Sequence, residues 1–549
     1  MAEQSNIYLT SMVCAFYDYM SNVYLDYNNN DEEKNKQPFY DYFLFKLYYD
    51  FGVKRKYLYS VNNKPVENKD EIQKSNIVLL YYVKSLKGYK PNEMITQLCR
   101  HMILDTNNMK ILSLGIPKSI SLDTFLNNYK INPSDVKSCF NVNEQGHTDK
   151  IKYRIYKFPE GTMITYNLTL KSILGGDITD CQEDEHMDDG TLEEQNRMAE
   201  ENITKKYQEY LQYSTRRKIG TSSFNTKKTF AQMFEENNEL LNTHLENIPE
   251  DKMKNMVLVF NLEHQENVII NPQTRNYNTL CAVYKLKDEQ TATIEWSNIV
   301  NMVNVNEHIN DIKLLFQMLG KGMVVPIHVS KFKKDISEYN TNIHLPEVIT
   351  SFEKRDLNGD KQIVPVDQVN FEQLQQIVFT KPSTYQGYLI YGMNGERTKV
   401  VNPKYKSMKE LKGNRPITLQ PWNMKNLFYT YWKLMKERKI EDFINTFDVY
   451  NKDNKDNQNN YSNMFQWFNC CVQQYCVYLF NIYQSAFVKK QILKQDIPYM
   501  MKPQCGDLHT SYLQTKTPIN LIYVTNYVYN LPFGKVFWRV FNSPAHPPQ

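Results

Sequence analysis

A local group of basic side chains, Arg216, Arg217 and Lys218 in the run STRRKIG, is followed closely by Lys227 and Lys228. Guanidinium and ammonium groups spaced in this way suit contacts to phosphate oxygens, and a solvated charged face has the same spacing. Upstream, the run YKFPEGTMITYN, which begins at Tyr156, sets Lys157 beside a Glu160-Gly161 turn. Downstream, VFNLEHQENVII carries Glu263 and His264 side by side, but no second ligand pair accompanies them and no metal site is expected. The run DLNGDKQIVPVD, from Asp356, copies the start of a calcium-binding loop. Lys361 stands where that loop needs Gly, and Pro365 interrupts the exiting helix, so calcium is not expected there. The nine Cys are scattered without a CxxC pair, which fits free thiols in a reducing compartment.

The elements that must position these groups fall into three stretches. The first, 1–91, is rich in Tyr and Phe and ends in the apolar run IVLLYYVKSL, which predicts a small α/β lead-in whose aromatic stripes are core. From 92 to 420, short apolar runs alternate with polar connections: MKILSL, KYRIYKF, TMITYN, NMVLVFNL, NVIINP, TLCAVYKL, GYLIYGM and TKVVN. They predict an α+β fold with a mixed, largely antiparallel sheet, one helix over 309–319 and an acidic surface insertion at about 175–205. From 421 to 549 the apolar spacing becomes helical, in NMKNLFYTYWKLMKERK and SNMFQWFNCCVQQYCVYLFNIYQSAF, with the polar tract NKDNKDNQNN read as an exposed loop between them.

The chain has 549 residues, enough for about three or four domains. Hydrophobic residues at 41% and aromatic ones at 13% exclude global disorder. The 65 Lys+Arg against 61 Asp+Glu leave +4, so any basic surface is local. Abundant Lys, Asn, Ile and Tyr (40 Tyr) with only 18 Gly are what A/T-rich codons give. No run approaches the ~18 apolar residues of a membrane span and the first residues lack a secretory pattern, so a protein in the cytoplasm, neither secreted nor membrane-bound, is expected.

Four stretches taken in order carry a family resemblance. Arg100 heads RHMILDTNNMKILSLGIPKS, two strands and a turn that end at Pro117-Lys118-Ser119; YKFPEGTMITYN follows; STRRKIG and VFNLEHQENVII form the third; YQGYLIYG and RTKVVNPKYKSMKELKG form the fourth. Over about residues 100–412 these resemble the nucleotidyltransferase domain of phage-type RNA ligases, in the divergent form carried by large DNA viruses. YWKLMKERKIEDFINTF resembles that group's helical C-terminal domain.

The resemblance implies a covalent chemistry with ATP and Mg²⁺ as the cofactors of an active member. A lysine attacks the α-phosphorus, forming an N–P bond and releasing pyrophosphate. AMP then passes to an RNA 5′-phosphate and is displaced by an RNA 3′-hydroxyl. It implies Lys157 as the nucleophile, with Glu160, Gly161, Phe260, Asn261, Glu263, Gln386, Gly387 and Lys399 around the nucleotide. Arg100, Lys118, Arg216, Arg217 and Lys218 would meet RNA phosphates.

The match departs from the family at four charged positions. Phe158 stands where the nucleophilic lysine belongs and Lys157 lies one residue early, so strand alternation turns it away from the pocket unless Pro159 introduces a bulge. Asn261 replaces a Glu, with Glu263 two residues on along the same strand face; Gln386 replaces another Glu; and Val401 replaces the second lysine of a K-x-K strand that keeps Lys399. An amide hydrogen-bonds a ribose or a metal-bound water but lacks the charge that holds Mg²⁺ tightly.

The expectation is therefore a divergent member, viral in type, that retains nucleotide and RNA binding with its catalytic residues substituted, acts in the host cytoplasm or virion and has viral protein partners. The alternative is an active ATP-dependent RNA ligase using Lys157. An mRNA guanylyltransferase shares the core, but it would continue into an all-β domain where this chain turns helical.

Overall fold

The computed structural model describes residues 7–60, 73–142, 148–170, 178–179, 212–219, 228–240, 245–267, 269–270, 276–339, 343–355, 361–413, 424–451 and 460–542. The acidic stretch at 175–205, apart from Ile178–Thr179, Lys227 and most of the NKDNKDNQNN tract lie outside them. The fold is α+β with antiparallel strand pairing, and the chain forms two compact units, Met1–Lys406 and Ser407–Gln549.

In the first unit, Leu9, Met12, Val13, Phe16, Tyr17 and Met20 recur at helical spacing and give the helix Ile7–Asn28 a buried stripe. The helix Phe39–Phe51 stops at Gly52, whose φ of 63° is the left-handed conformation that a C-terminal cap requires. These helices share one core with Val78, Leu80, Leu104 and Ile111, and with Val257, Val259, Phe316 and Leu319 from much later in the chain. The 1–91 segment is thus part of a larger core, and the helix expected over 309–319 runs Ile309–Gly320 within it.

Three sheets matter for the site. A five-stranded sheet runs in the order Lys110–Leu114, Met102–Asp105, Gln73–Tyr82, Val53–Ser60, Ile178–Thr179. A six-stranded sheet runs in the order Lys218–Ile219, Tyr213–Thr215, Thr162–Tyr166, Met256–Glu263, Tyr277–Leu286, Val324–Ile327. Its strand Met256–Glu263 is buried on both faces: Val257 and Val259 enter the first core, while Leu258, Phe260 and Leu262 enter a second with Ile164 and Phe234. That two-sided burial explains why MVLVF reads as a continuous apolar run.

The third sheet has the order Arg397–Val401, Gly387–Gly392, Tyr153–Lys157. Tyr153, Ile155, Tyr388, Ile390 and Val400 line one face and pack on the helix Phe371–Thr380. That helix begins with a capping box in which Asn370 and Gln373 bond each other's backbone. The run NVIINP, read as a strand, is not one where it is described: Asn267, Ile269 and Ile270 lie in a loop and bends. Lys361 sits in the hairpin strand Lys361–Pro365, paired with Arg355, where a calcium loop would continue toward its exiting helix.

The second unit is helical. Its helices include Met424–Glu437, Ile440–Asn451, Tyr461–Tyr483, Lys502–Thr515, Leu521–Asn530 and Phe533–Phe541. Phe428 is central to their core, with ring centroids 5.0 Å from Phe468 and 5.2 Å from Phe541. Among the described residues no helix is long and apolar enough to cross a membrane.

Candidate functional site

The turn from Phe158 to Gly161 links the three-stranded sheet to the six-stranded one, and most of the nucleotide-contacting residues expected from sequence gather around it. The Phe158 N–H donates to the Gly387 carbonyl at 3.0 Å, tying the turn to Gln386-Gly387. Gly387 must be glycine: its φ is 133° and a Cβ there would lie 2.1 Å from the Val400 carbonyl oxygen. On the other side, Thr162 and Met163 pair with Leu262 and Asn261. Gly161 packs against that strand so closely that a Cβ would meet the Leu262 oxygen at 2.4 Å and the Asn261 amide at 2.6 Å.

Two carboxyls lie beside this turn. Glu160 is buried and accepts a hydrogen bond from the Ile270 N–H, and it also raises the pKa of the buried Tyr405 hydroxyl, behind burial itself. Glu263 is 9% exposed and accepts from Asn261 Nδ2 at 3.3 Å. Burial, with Glu160 nearby, pushes its carboxyl up to about 7 against the pull of Asn261 and Lys157. Asn267 Nδ2 donates to Thr162 Oγ1 at 3.0 Å and closes the loop over the pair of strands.

Lys157 pairs with Tyr388, and Tyr388 pairs with Val400, so these three share the face that packs on the helix. Lys399 pairs with Leu389, and Leu389 with Tyr156, on the opposite face. The expected nucleophile and the expected phosphate lysine therefore sit on opposite faces of one small sheet. Lys157 is half exposed, with Nζ 3.6 Å from the Glu347 carboxylate and its N–H on the Glu347 carbonyl at 3.1 Å. It lacks the burial that converts a lysine into a nucleophile.

Phe260 lies on the opposite face of its strand from Asn261 and Glu263. It is 1% exposed in the second core, edge-on to Phe234 at 4.9 Å, because strand alternation puts it on the same inward face as Leu258 and Leu262. Its expected place beside a nucleotide is thereby corrected to a core position.

The basic residues divide in the same manner. Arg216 and Arg217 form the turn of the STRRKIG hairpin and point to opposite sides of the strand Gln73–Tyr82. Arg216 lies 4.3 Å over the Tyr82 ring and donates to the Tyr82 carbonyl at 3.1 Å; Arg217 is exposed, 5.4 Å over Tyr81. Lys218 continues into the short strand Lys218–Ile219. Arg100 and Lys118 stand with Arg216. Burial holds the Arg100 guanidinium down to about 10, aided by the charges of Arg397 and Arg216, and Lys118 is lowered by burial, Lys84 and Arg100. Lys118 Nζ donates to the Pro91 and Ser119 carbonyls.

Sequence reasoning missed two groups. Arg397 opens the strand that carries Lys399, and nothing but its position after a tight turn distinguished it. His101, next to Arg100, is fully buried, with Nε2 3.1 Å from Ser214 Oγ and 3.3 Å from Thr165 Oγ1. Ser214 and Thr165 are hydrogen-bonded to each other as well. Two neighbours of the arginines, His101 and Ser214, are thus fixed against one another. Burial drives the His101 imidazole down to about 4, so this staple adds no further positive charge at neutral pH. His264 is buried too, its Nε2 3.3 Å from Glu236, which also pairs with Lys228 at 2.7 Å.

Among the described residues no group of three or more His, Cys, Asp or Glu is arranged to hold a metal ion. The Glu160 carboxylate is already engaged by the Ile270 N–H and that of Glu263 by the Asn261 amide, partners that suit hydrogen bonding more than tight binding of a divalent cation. Comparison of the chain with protein-family models and with curated proteins gives no match.

Proposed function

We propose that this chain is a divergent RNA-ligase-like nucleotidyltransferase-fold protein, of the type large DNA viruses carry, that binds the phosphates of RNA or a nucleotide without forming a lysyl-nucleotide. The observation that carries the reading is the gathering, around the Phe158–Gly161 turn, of Asn261, Glu263, Gln386-Gly387 and the Lys399 strand from three segments, while Lys157 stays on the opposite face from Lys399. An arrangement of this kind can orient a nucleotide by hydrogen bonds. It has no lysine activated for attack at the register where Phe158 stands.

The active-ligase reading draws on one specific feature, the electrostatic reach of Lys157 to Glu263. Incubation with α-labelled ATP and Mg²⁺ decides between the two. The proposal expects no alkali-stable, acid-labile protein–AMP adduct; a labelled band of that kind that disappears in Lys157→Ala overturns it and establishes ATP-dependent ligase chemistry. A guanylyltransferase is supported least, because the residues after 424 that are described form helices.

A further inference from the structure

We propose that Arg100, Arg216 and Arg397 form a seat for a phosphate group, assembled from three different sheets. Arg100 precedes the strand Met102–Asp105 of the five-stranded sheet, Arg216 sits at a hairpin tip of the six-stranded sheet, and Arg397 opens a strand of the three-stranded sheet. Their proximity is set by hydrogen bonds. Arg100 Nη1 donates to the Ile116 carbonyl at 3.4 Å and Arg397 Nη2 to the next carbonyl, Pro117, at 2.8 Å. Arg216 Nη2 holds the Tyr82 carbonyl, and the Tyr82 N–H donates to Cys99, the residue before Arg100.

Each guanidinium has several N–H donors, and these bonds use few of them. The Nε atoms of Arg216 and Arg397 are buried without a partner, while all three residues keep part of their surface open to solvent. No carboxylate pairs with any of the three among the described residues. Like charges held together in a half-buried place without a counter-charge are unfavourable, and a bound anion removes that cost. A single carboxylate neutralises one of them. A phosphate brings up to about two charges and several acceptor oxygens in the geometry that guanidinium forks match, which makes it the anion class the cluster fits. Lys118, whose pKa is lowered by burial first and then by the charges of Lys84 and Arg100, adds a fourth cation at the edge.

The inference rests on the phosphate-binding half of the reading above and is independent of its ligase-like half. The test uses the full chain at low chloride, with calorimetric titration of tripolyphosphate and then of a short single-stranded RNA bearing either a 5′-phosphate or a 5′-hydroxyl. The native chain should bind tripolyphosphate saturably, and Arg397→Gln and Arg216→Gln should each weaken it at least about tenfold, the usual scale for a charged hydrogen-bonded contact. The unliganded variants should melt no lower than the native chain, since each relieves repulsion while glutamine keeps a donor for the carbonyl. Should Arg397→Gln not fold, Arg216→Gln decides alone, because it leaves the Ile116 and Pro117 carbonyls untouched. Absence of saturable tripolyphosphate binding by the native chain, or unchanged affinity in the variants, overturns the seat. RNA binding lost together with tripolyphosphate binding supports RNA as its source of phosphate, and a preference for the 5′-phosphorylated oligonucleotide identifies the terminal monoester. Tripolyphosphate binding lost with RNA binding intact supports the seat and removes RNA from it. RNA binding by the native chain, unchanged in both variants, with no tripolyphosphate binding, overturns the seat and leaves the proposed function standing.

Discussion

Replacing Glu263 by Gln removes one of two buried titrations that oppose each other in the first unit. The Glu263 carboxyl is raised from 4.5 to about 7 by burial first and by Glu160 after it. Its folded form therefore holds a proton more tightly than its unfolded form, and the stability it contributes is full below the unfolded value and lost as pH rises through 7. At ~1.36 kcal/mol per tenfold change, that displacement amounts to about 3 kcal/mol. His101 runs the other way: burial first, then the neighbouring arginines, lower it from 6.5 to about 4, so its contribution is full above 6.5 and lost as pH falls toward 4. The two slopes overlap between 4.5 and 6.5 and largely cancel in the native chain.

Glu263→Gln keeps an oxygen for the Asn261 amide and deletes only the first slope. The stability of the variant relative to the native chain should rise by up to about 3 kcal/mol between mildly acidic and mildly alkaline pH. His101→Gln should give a difference curve of the opposite sign. The assay is urea denaturation across that pH range, followed by hydrogen exchange of strand amides in the 1–406 unit so that the helical unit does not enter the reading. A flat difference for Glu263→Gln would refute the burial argument for this carboxyl.

Gly387→Ala should destabilise the first unit by about 2 kcal/mol or more, because the new Cβ meets backbone at Val400 that has nowhere to move; a fall in urea midpoint without a change in slope checks it. Phe260→Leu should cost about 1–2 kcal/mol in unfolding experiments while leaving RNA affinity unaltered, as expected of a core residue edge-on to Phe234. Phe158→Lys alone should still yield little labelled adduct with ATP and Mg²⁺, since Gln386 and Val401 leave the metal and the second phosphate contact without charge.

Much of the architecture was legible because one periodicity dominates locally. MKILSL, TMITYN, TLCAVYKL and GYLIYGM became the strands Lys110–Leu114, Thr162–Tyr166, Tyr277–Leu286 and Gly387–Gly392, each fixed by its own apolar pattern. Alternation sets Lys157 against its strand neighbour Tyr156, but which residues of the neighbouring strands share its face follows only from the pairing of Lys157 with Tyr388 and of Tyr156 with Leu389. Phe260 misled because burial on both faces of its strand removes the apolar–polar alternation that would have assigned its face. The sharing of one core by the 1–91 helices and strands from 257 onward was invisible, as no local pattern encodes which surfaces meet at such separation. Arg397 escaped for a similar reason: its importance comes from the Pro117 carbonyl it holds, hundreds of residues away in the chain and next to the Ile116 carbonyl that Arg100 holds, and from having no carboxylate paired with it among the described residues.

Fluorescence anisotropy of a labelled single-stranded RNA, titrated with the full chain over a range of salt concentrations, tests the RNA-binding claim most directly. Three or four neutralised phosphates predict saturable binding whose logarithmic salt slope is about −2 to −3. Absence of saturable binding, or affinity that does not change with salt, would contradict the account.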